Sequence, residues 1–338
     1  MPSAKSIPSI NRQITLASRA TGIPSSSDFV LQESPMPAPG RGEALVQTLY
    51  LSVDPQLRGT SGFAADGEQG ELMIGGVVGR VIESNDPRYA PNDIVEGTLG
   101  WQDFAVAPVR SLRKIDPALA PITTALYALG LPGLTAYFGL LEVGRPQLGD
   151  TVVVSDAAGA VGSIAGQIAK IKRCRAIGVV SSREMGDFVT RELGFDGAVN
   201  FAEARDVSLR LKELAPGGVD VYFDSVGGTV TGEVIQHLSS GARIAVSEQI
   251  LRGLKPEAEK GTHWFGQLVM KQASAAGFQV RHFADRFDPA LRQLAAWLRE
   301  NKLRYRVEIL NGLENAPAVF IGVMKGSQMG KQLVKVAD

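Results

Sequence analysis

Residues 151–166 read Thr-Val-Val-Val-Ser-Asp-Ala-Ala-Gly-Ala-Val-Gly-Ser-Ile-Ala-Gly. The apolar run Val152 to Val154 has the length and β-branched content of a buried parallel strand. A turn of small residues follows, and then Val161, Ile164, Ala165 and Ile168 recur at helical spacing. Strand, small-residue turn and helix in that order bring free N–H donors and the positive end of a helix dipole to one point. That is the geometry that binds a dinucleotide pyrophosphate. The fingerprint is incomplete: Ala157 takes the first position of G-x-G-x-x-G, with Gly159 and Gly162 at the second and third. A turn of this kind also arises for packing alone, so the surrounding chain has to decide between the two readings.

A chain of 338 residues suits about two domains. Its 35 basic and 35 acidic residues balance, which argues against a nucleic-acid or anionic-membrane surface. No apolar run approaches the ~20 residues that span a bilayer, and residues 1–13 carry no signal region. The single cysteine, Cys174, permits no intrachain disulfide and fits a reducing, cytoplasmic setting. Catalytic zinc needs about three protein ligands. Only Cys174, His237, His263 and His282 are available as Cys or His, and none forms a ligand-spaced cluster, so no metal is expected.

Up to about residue 128 the chain is rich in Gly and Pro. Segments 43–53, 76–83 and 103–107 read as strands between turn residues, suggesting a compact β-barrel. From Leu129 strands alternate with helices. Strands are expected at 151–155, 176–180, 198–200, 219–223, 242–247 and near 277–281. Helices are expected at 160–172 and near 185–193, 206–214 and 229–238. This βαβ alternation implies an α/β fold with a doubly wound parallel sheet. Asp288 reads as the N-cap of a helix beginning at Pro289, with Leu291, Leu294 and Leu298 on one face. From about Leu303 the chain returns to extended segments.

The end of the second strand faces the adenosine ribose in such folds, where an acidic residue selects NAD and a cation or hydroxyl accommodates the 2′-phosphate of NADP. Here the strand runs into Ser181, Ser182 and Arg183. An arginine fork suits a phosphate dianion, so the reading favours NADP; the alternative is an ordinary solvated loop arginine.

Further segments then carry a resemblance. They are Asn11-Arg-Gln13, Leu16-Ala-Ser-Arg19, Leu49-Tyr-Leu-Ser-Val-Asp-Pro55 with Arg58-Gly59, Gly100-Trp-Gln102 and Leu131-Pro-Gly-Leu-Thr-Ala-Tyr-Phe-Gly-Leu-Leu141. The later ones are 157–168, Glu192-Leu-Gly-Phe-Asp196, Asp220-Val-Tyr-Phe-Asp224, Gly312-Leu-Glu-Asn-Ala-Pro317 and Gly330-Lys331. Nearly the whole chain resembles the zinc-independent medium-chain dehydrogenase/reductases, in the branch of prostaglandin reductases, alkenal double-bond reductases and curcumin reductases. The resemblance implies a GroES-like β-barrel catalytic domain (1–128 and 303–338) around a Rossmann dinucleotide-binding domain (129–302). It implies NADPH-dependent reduction of the C=C bond of an α,β-unsaturated ketone or aldehyde, and a homodimer.

Carried over by position, the resemblance implies that Ala158, Gly159, Ala160, Val161 and Gly162 meet the pyrophosphate. Arg183, Ser225, Ser247 and Gln328 are further cofactor positions. Thr135 is expected near the nicotinamide and Phe278, Gln279 and Val280 beside its carboxamide. A structural role is the alternative for Thr135, and a buried strand core for Phe278 and Val280. Several positions depart from the family. Its usual 2′-phosphate lysine falls at Met185, a ribose-side tyrosine at Phe201, an asparagine at Ser225, another at Gln328, and a turn alanine at Asp156. A carboxylate so close to phosphates is unfavourable unless it points away. Two tyrosines expected near the substrate fall at Gln56 and Gly253, which leaves Tyr50 and His263 as the nearest candidate proton donors; a structural role is the alternative for each, with the cofactor's ribose hydroxyl or a water as the donor instead. A quinone oxidoreductase and a catalytically weak NADP-binding sensor remain as alternative functions.

Overall fold

Val152, Val153 and Val154 are each fully buried, and alternate members of the run point into two different cores. In a computed structural model, residues 8–18, 23–54, 70–202, 207–247, 264–326 and 328–338 are described. They fall into two compact units: 1–126 with 308–325 and 332–338, and 127–307 with 326–331. The C-terminal return is therefore not one block, because residues 303–307 and 326–331 count with the second unit.

Numbered along the chain, the first unit carries β1 (Ile10–Leu16), β2 (Phe29–Pro35), β3 (Glu43–Ser52), β4 (Gly76–Ser84), β5 (Ile94–Thr98), β6 (Phe104–Pro108) and β7 (Arg113–Lys114). β14 (Val307–Asn311), helix α8 (Ala316–Met324) and β15 (Lys331–Lys335) follow near the chain end. β1 pairs with β2, and the larger sheet runs β14-β15-β3-β4-β5-β7 with β6 also on β3. The pairings onto β3 and β4 are antiparallel. Trp101 is fully buried, stacked on Phe29 at 6.0 Å and edge-on to Phe320 of α8 at 5.9 Å.

The second unit is built on six parallel strands: β8 (Thr151–Val154), β9 (Arg175–Val180), β10 (Gly197–Asn200), β11 (Val219–Asp224), β12 (Leu238–Val246) and β13 (Ser274–Gly277). Their order is β10-β9-β8-β11-β12-β13, so the sheet winds outward from β8 in one direction and from β11 in the other. Helices are α1 (Leu131–Phe138), α2 (Gly162–Ile171), α3 (Arg183–Asp187), α4 (Val207–Leu214), α5 (Gly228–Ile235), α6 (Trp264–Lys271) and α7 (Phe287–Arg299). On one face Val152, Val154, Val221 and Phe223 pack with Ile164 and Ile168 of α2 and Leu294 of α7. On the other, Val153, Ile177 and Tyr222 pack with Leu211 of α4 and Val230 of α5. Burial on both faces, worth roughly 1.5–3 kcal/mol for each such side chain, explains why these strands read as continuous rather than alternating apolar runs.

Two expected elements differ. The last strand lies at Ser274–Gly277, not 277–281, and all its residues are exposed. It is an edge strand, and Phe278 leaves it to pack against Phe223. Asp288 does not cap α7. A run of tight turns at Val280–Arg286 feeds directly into the helix, so the cap position falls at Arg286 and Asp288 sits in the first turn. Its charge there still suits the helix dipole.

Candidate functional site

At the carboxyl edge of β8 the chain turns through Ser155–Val161 into α2. Ser155 N–H donates to Phe223 O (3.0 Å) and Ala157 N–H to Val179 O (3.1 Å), which ties the turn to β11 and β9. Gly159 N–H closes onto Asp156 O at 2.9 Å. A Cβ on Gly162 would stand 2.2 Å from Asp156 O, so only glycine lets the helix start this close to the turn. Among the described residues the N–H groups of Ala160, Val161 and Gly162 donate to no protein acceptor. They are the orphan donors of the helix start, and together they form a cradle for an anion. The five turn positions named from the sequence are brought together here.

Asp156 does not point away. It holds a left-handed backbone (φ +49°), and a Cβ built on Gly159 would be 2.0 Å from Asp156 Oδ2. The carboxyl therefore lies over the glycine of the cradle. The surrounding protein pushes its pKa up to about 7. The residue is nevertheless exposed to solvent, and hydration of the free protein offsets part of that shift.

Ala158 O accepts from Gly330 N–H at 2.7 Å, which draws residues 328–330 onto the turn. Gln328 Oε1 is buried there with no hydrogen-bond partner among the described residues, an acceptor lacking a donor. Between β8 and β11, where the winding direction reverses, Asp224 is fully buried. It accepts from Thr231 Oγ1 (2.7 Å), Tyr222 Oη (3.0 Å), Gly227 N–H (3.0 Å), Val226 N–H (3.1 Å) and Ser155 Oγ (3.3 Å). Burial, and then the charge of Asp224, raises the Tyr222 phenol well above its ordinary range. Ser225 N–H donates to Ser155 Oγ (2.8 Å), and the Ser225 and Ser247 hydroxyls pair at 3.0 Å. Behind the cradle the hydroxyls of Tyr127 and Ser163 pair at 2.7 Å.

Sequence reasoning missed Ser155, Asp224, Tyr127 and Ser163 as parts of this edge. A signal was present: β8, β9, β11 and β12 are each followed at once by a serine, Ser155, Ser181, Ser225 and Ser247. At the end of β9, Ser182 Oγ caps α3 by accepting from Met185 N–H at 3.2 Å. Arg183 is exposed and makes no ion pair among the described residues. Met185, at the expected lysine position, is buried with its sulfur 3.2 Å from Ser181 Oγ. Phe201 packs half-buried against the second core. At the neighbouring end of β10, Asn200 Nδ2 is a buried donor without a partner among the described residues.

Thr135 is half-buried on α1, one turn before Gly139. A Cβ on Gly139 would meet the Phe278 ring at 2.2 Å, so Phe278 closes over the end of that helix. Gln279 is exposed, and Val280 packs on the cluster of Leu134, Phe138 and Ala290. Tyr50 is on β3, opposite Lys335 and Val78. Gln56, Gly253 and His263 lie outside the described residues.

Among the described residues the donor set does not fit a zinc site. Cys174 is buried with its thiol directed at Gln147 O (3.2 Å), and burial pushes it up to about 11. His237 pairs with Ser208 Oγ at 2.8 Å. Among the described residues no three His, Cys, Asp or Glu side chains gather to hold a metal, and no helix is long and apolar enough to cross a membrane.

Residues 12–115 match the N-terminal domain of oxidoreductase, and residues 160–296 match the zinc-binding dehydrogenase domain. YfmJ of Bacillus subtilis is 45% identical over 97% of this chain and 98% of its own length. The NADPH-dependent curcumin reductase of Escherichia coli is 38% identical over 97% of each chain. CurA of Vibrio vulnificus, solved in complex with NADPH, is 36% identical and superposes with a TM-score of 0.91 over 97% of this chain and 99% of its own. The chain belongs to the medium-chain dehydrogenase/reductases, in the branch that holds the curcumin, prostaglandin and alkenal reductases.

Proposed function

We propose that this protein reduces the C=C bond of α,β-unsaturated ketones or aldehydes with NADPH. The observation that carries the reading is the cradle of unpaired N–H groups at Ala160–Gly162, in a chain related over its length to an NADPH-dependent reductase. When bound, NADPH supplies a hydride to the β-carbon of the enone. The chain's own part is to bind and orient. Ala158–Gly162 hold the pyrophosphate, and Arg183 beside Ser182 holds the adenosine 2′-phosphate as a replacement for the absent lysine. The unpaired Gln328 Oε1 accepts from a ribose hydroxyl. Ser225 and Ser247 face the ribose next to the nicotinamide, and Thr135 with Phe278, Gln279 and Val280 borders the ring. The donor set supports a metal-independent reaction, in which hydrogen bonds rather than a Lewis acid stabilise the enolate oxygen.

We further propose a homodimer, supported by the exposed strand β13, whose outer edge is unpaired among the described residues and so invites pairing with a second copy. The lone buried cysteine supports a cytoplasmic setting. The activity is tested by following the absorbance of reduced nicotinamide with a panel of enones, enals and quinones. Oxidation with enones or enals is expected. Turnover confined to quinones assigns a quinone reductase instead, and NADPH binding without any oxidation assigns a binding protein. Arg183→Ala should weaken NADPH at least tenfold more than NADH; equal weakening refutes its role.

A further inference from the structure

Asp156 stands in the one place where a cofactor-binding turn least tolerates a charge. Its carboxyl lies over Gly159, the glycine through which a pyrophosphate approaches the backbone. The left-handed backbone at Asp156 aims the side chain there, and no donor reaches its oxygens among the described residues. We propose that Asp156 binds a proton when the cofactor binds, so that the pyrophosphate meets a neutral carboxyl able to donate to a phosphate oxygen. The inference rests on reading the turn as the pyrophosphate site.

Among the described residues the groups around Asp156 offer no alternative compensation. Behind it is Tyr127, paired with Ser163 of α2; burial raises the phenol, and the charge on Asp156 raises it further. From β11, Asp224 reaches the turn only through Ser155 and is itself acidic. From β9, Val179 O accepts from Ala157 N–H and Gly178 stands against the Ala157 side chain, and neither residue is charged. On the segments flanking Gly330, Arg306 lies over the Phe188 ring at 5.7 Å and Lys331 is buried at the head of β15. Neither acts on the Asp156 carboxyl, whose displacement upward comes from the surrounding protein alone. In the free protein water reaches the carboxyl. A ligand seated on Gly159 displaces that water and adds like charge, and both favour the protonated form. One proton from solvent joins one carboxylate oxygen as the complex forms and leaves when it dissociates; no bond in the cofactor changes.

The test measures NADPH affinity by calorimetry from about pH 5.5 to 9 in the native protein, Asp156→Asn and Asp156→Gly. Two buffers of different ionisation heat count the protons. Asparagine and glycine both accept left-handed backbone, so the turn survives. The native dissociation constant should rise towards tenfold per pH unit above the carboxyl pKa, relative to both variants, with close to one extra proton bound per cofactor. The adenosine 2′-phosphate titrates equally in all three proteins and cancels in the difference. Binding with the same pH profile and proton count in all three overturns the proposal while leaving the pyrophosphate site intact. Failure of all three to bind at any pH overturns that site as well.

Discussion

Removing the Asp224 side chain should damage the protein more than any other single polar truncation at the carboxyl edge. Asp224 is fully buried, and five groups donate to it. In Asp224→Ala the hydroxyls of Thr231, Tyr222 and Ser155 can rotate towards one another, since Tyr222 Oη and Thr231 Oγ1 are already 3.3 Å apart. The N–H groups of Val226 and Gly227 cannot turn. Two stranded N–H donors at about 1–3 kcal/mol each, with some relief from a water entering the vacated polar space, give a loss of about 2–5 kcal/mol. Asp224→Asn keeps a carbonyl for those N–H groups and presents its amide to the rotatable hydroxyls, so about 1–2 kcal/mol is expected. Urea unfolding with linear extrapolation measures both. Because Ser225 N–H is fixed through Ser155, the alanine variant should also weaken NADPH in the fraction that remains folded. A loss below about 1 kcal/mol in Asp224→Ala, or equal losses in the two variants, refutes the account of stranded donors.

Gly166→Val forces a Cβ to within 1.8 Å of the Phe195 ring, separating α2 from its packing partner; overpacking of this kind should cost about 1–3 kcal/mol and lower Tm. Tyr127→Phe removes the 2.7 Å hydroxyl pair with Ser163, and a loss of about 1 kcal/mol in urea unfolding is expected. Asp156 also bears on stability. Its carboxyl pKa is raised on folding, so its contribution is full below the ordinary carboxylate range and is lost as pH rises through about 7. The Tm of Asp156→Asn should therefore gain on that of the native protein as pH increases across this window, by less than full burial would give because the residue is exposed. Equal pH dependence of the two Tm values would sink the assignment.

What the sequence made legible follows the range of the forces involved. The strand at Val152–Val154, the turn glycines and the apolar stripe of α2 are encoded within about twenty residues, and each lies close to its expected place. The last strand was misplaced because Phe278-Gln-Val280 is more apolar than Ser274-Ala-Ala-Gly277, yet the edge position of β13 asks for pairing on one side only. Asp288 before Pro289 has the composition of a helix start, but the turns from Val280 had already begun the helix. The Asp224 network was out of reach for a different reason. Ser155 and Asp224 are 69 positions apart, and Ser225 and Ser247 are 22 apart. Nothing in local spacing says that parallel strands will bring them side by side. The unpaired Gln328 Oε1 likewise depends on the Gly330–Ala158 hydrogen bond.

The departures from the family pattern fall on side chains, while the features that form the cradle belong to the backbone. The N–H groups of Ala160–Gly162, the close approach at Gly162 and the bond from Gly330 to Ala158 are indifferent to what residue 156, 185 or 225 carries. Ser225 is tolerated because Asp224 fixes its loop through donors that lie within the unit, and Met185 because the sulfur fills the space beneath Ser181. Substitution there changes the charge presented to a ligand without changing the turn. On the proposed reading of the site, Arg183 and Asp156 act in opposite directions on the cofactor's phosphates: one adds an exposed cation at the end of β9, the other an acid over Gly159. Affinity for a phosphorylated cofactor should consequently depend on pH through Asp156 and on ionic strength through Arg183, since exposed charges are screened by salt and crowded ones much less. In Arg183→Ala the salt dependence of the NADPH dissociation constant should shrink while its pH dependence persists. In Asp156→Asn the reverse should hold. If either variant alters both dependences together, the two residues do not act independently and the separation of roles argued from their positions is wrong.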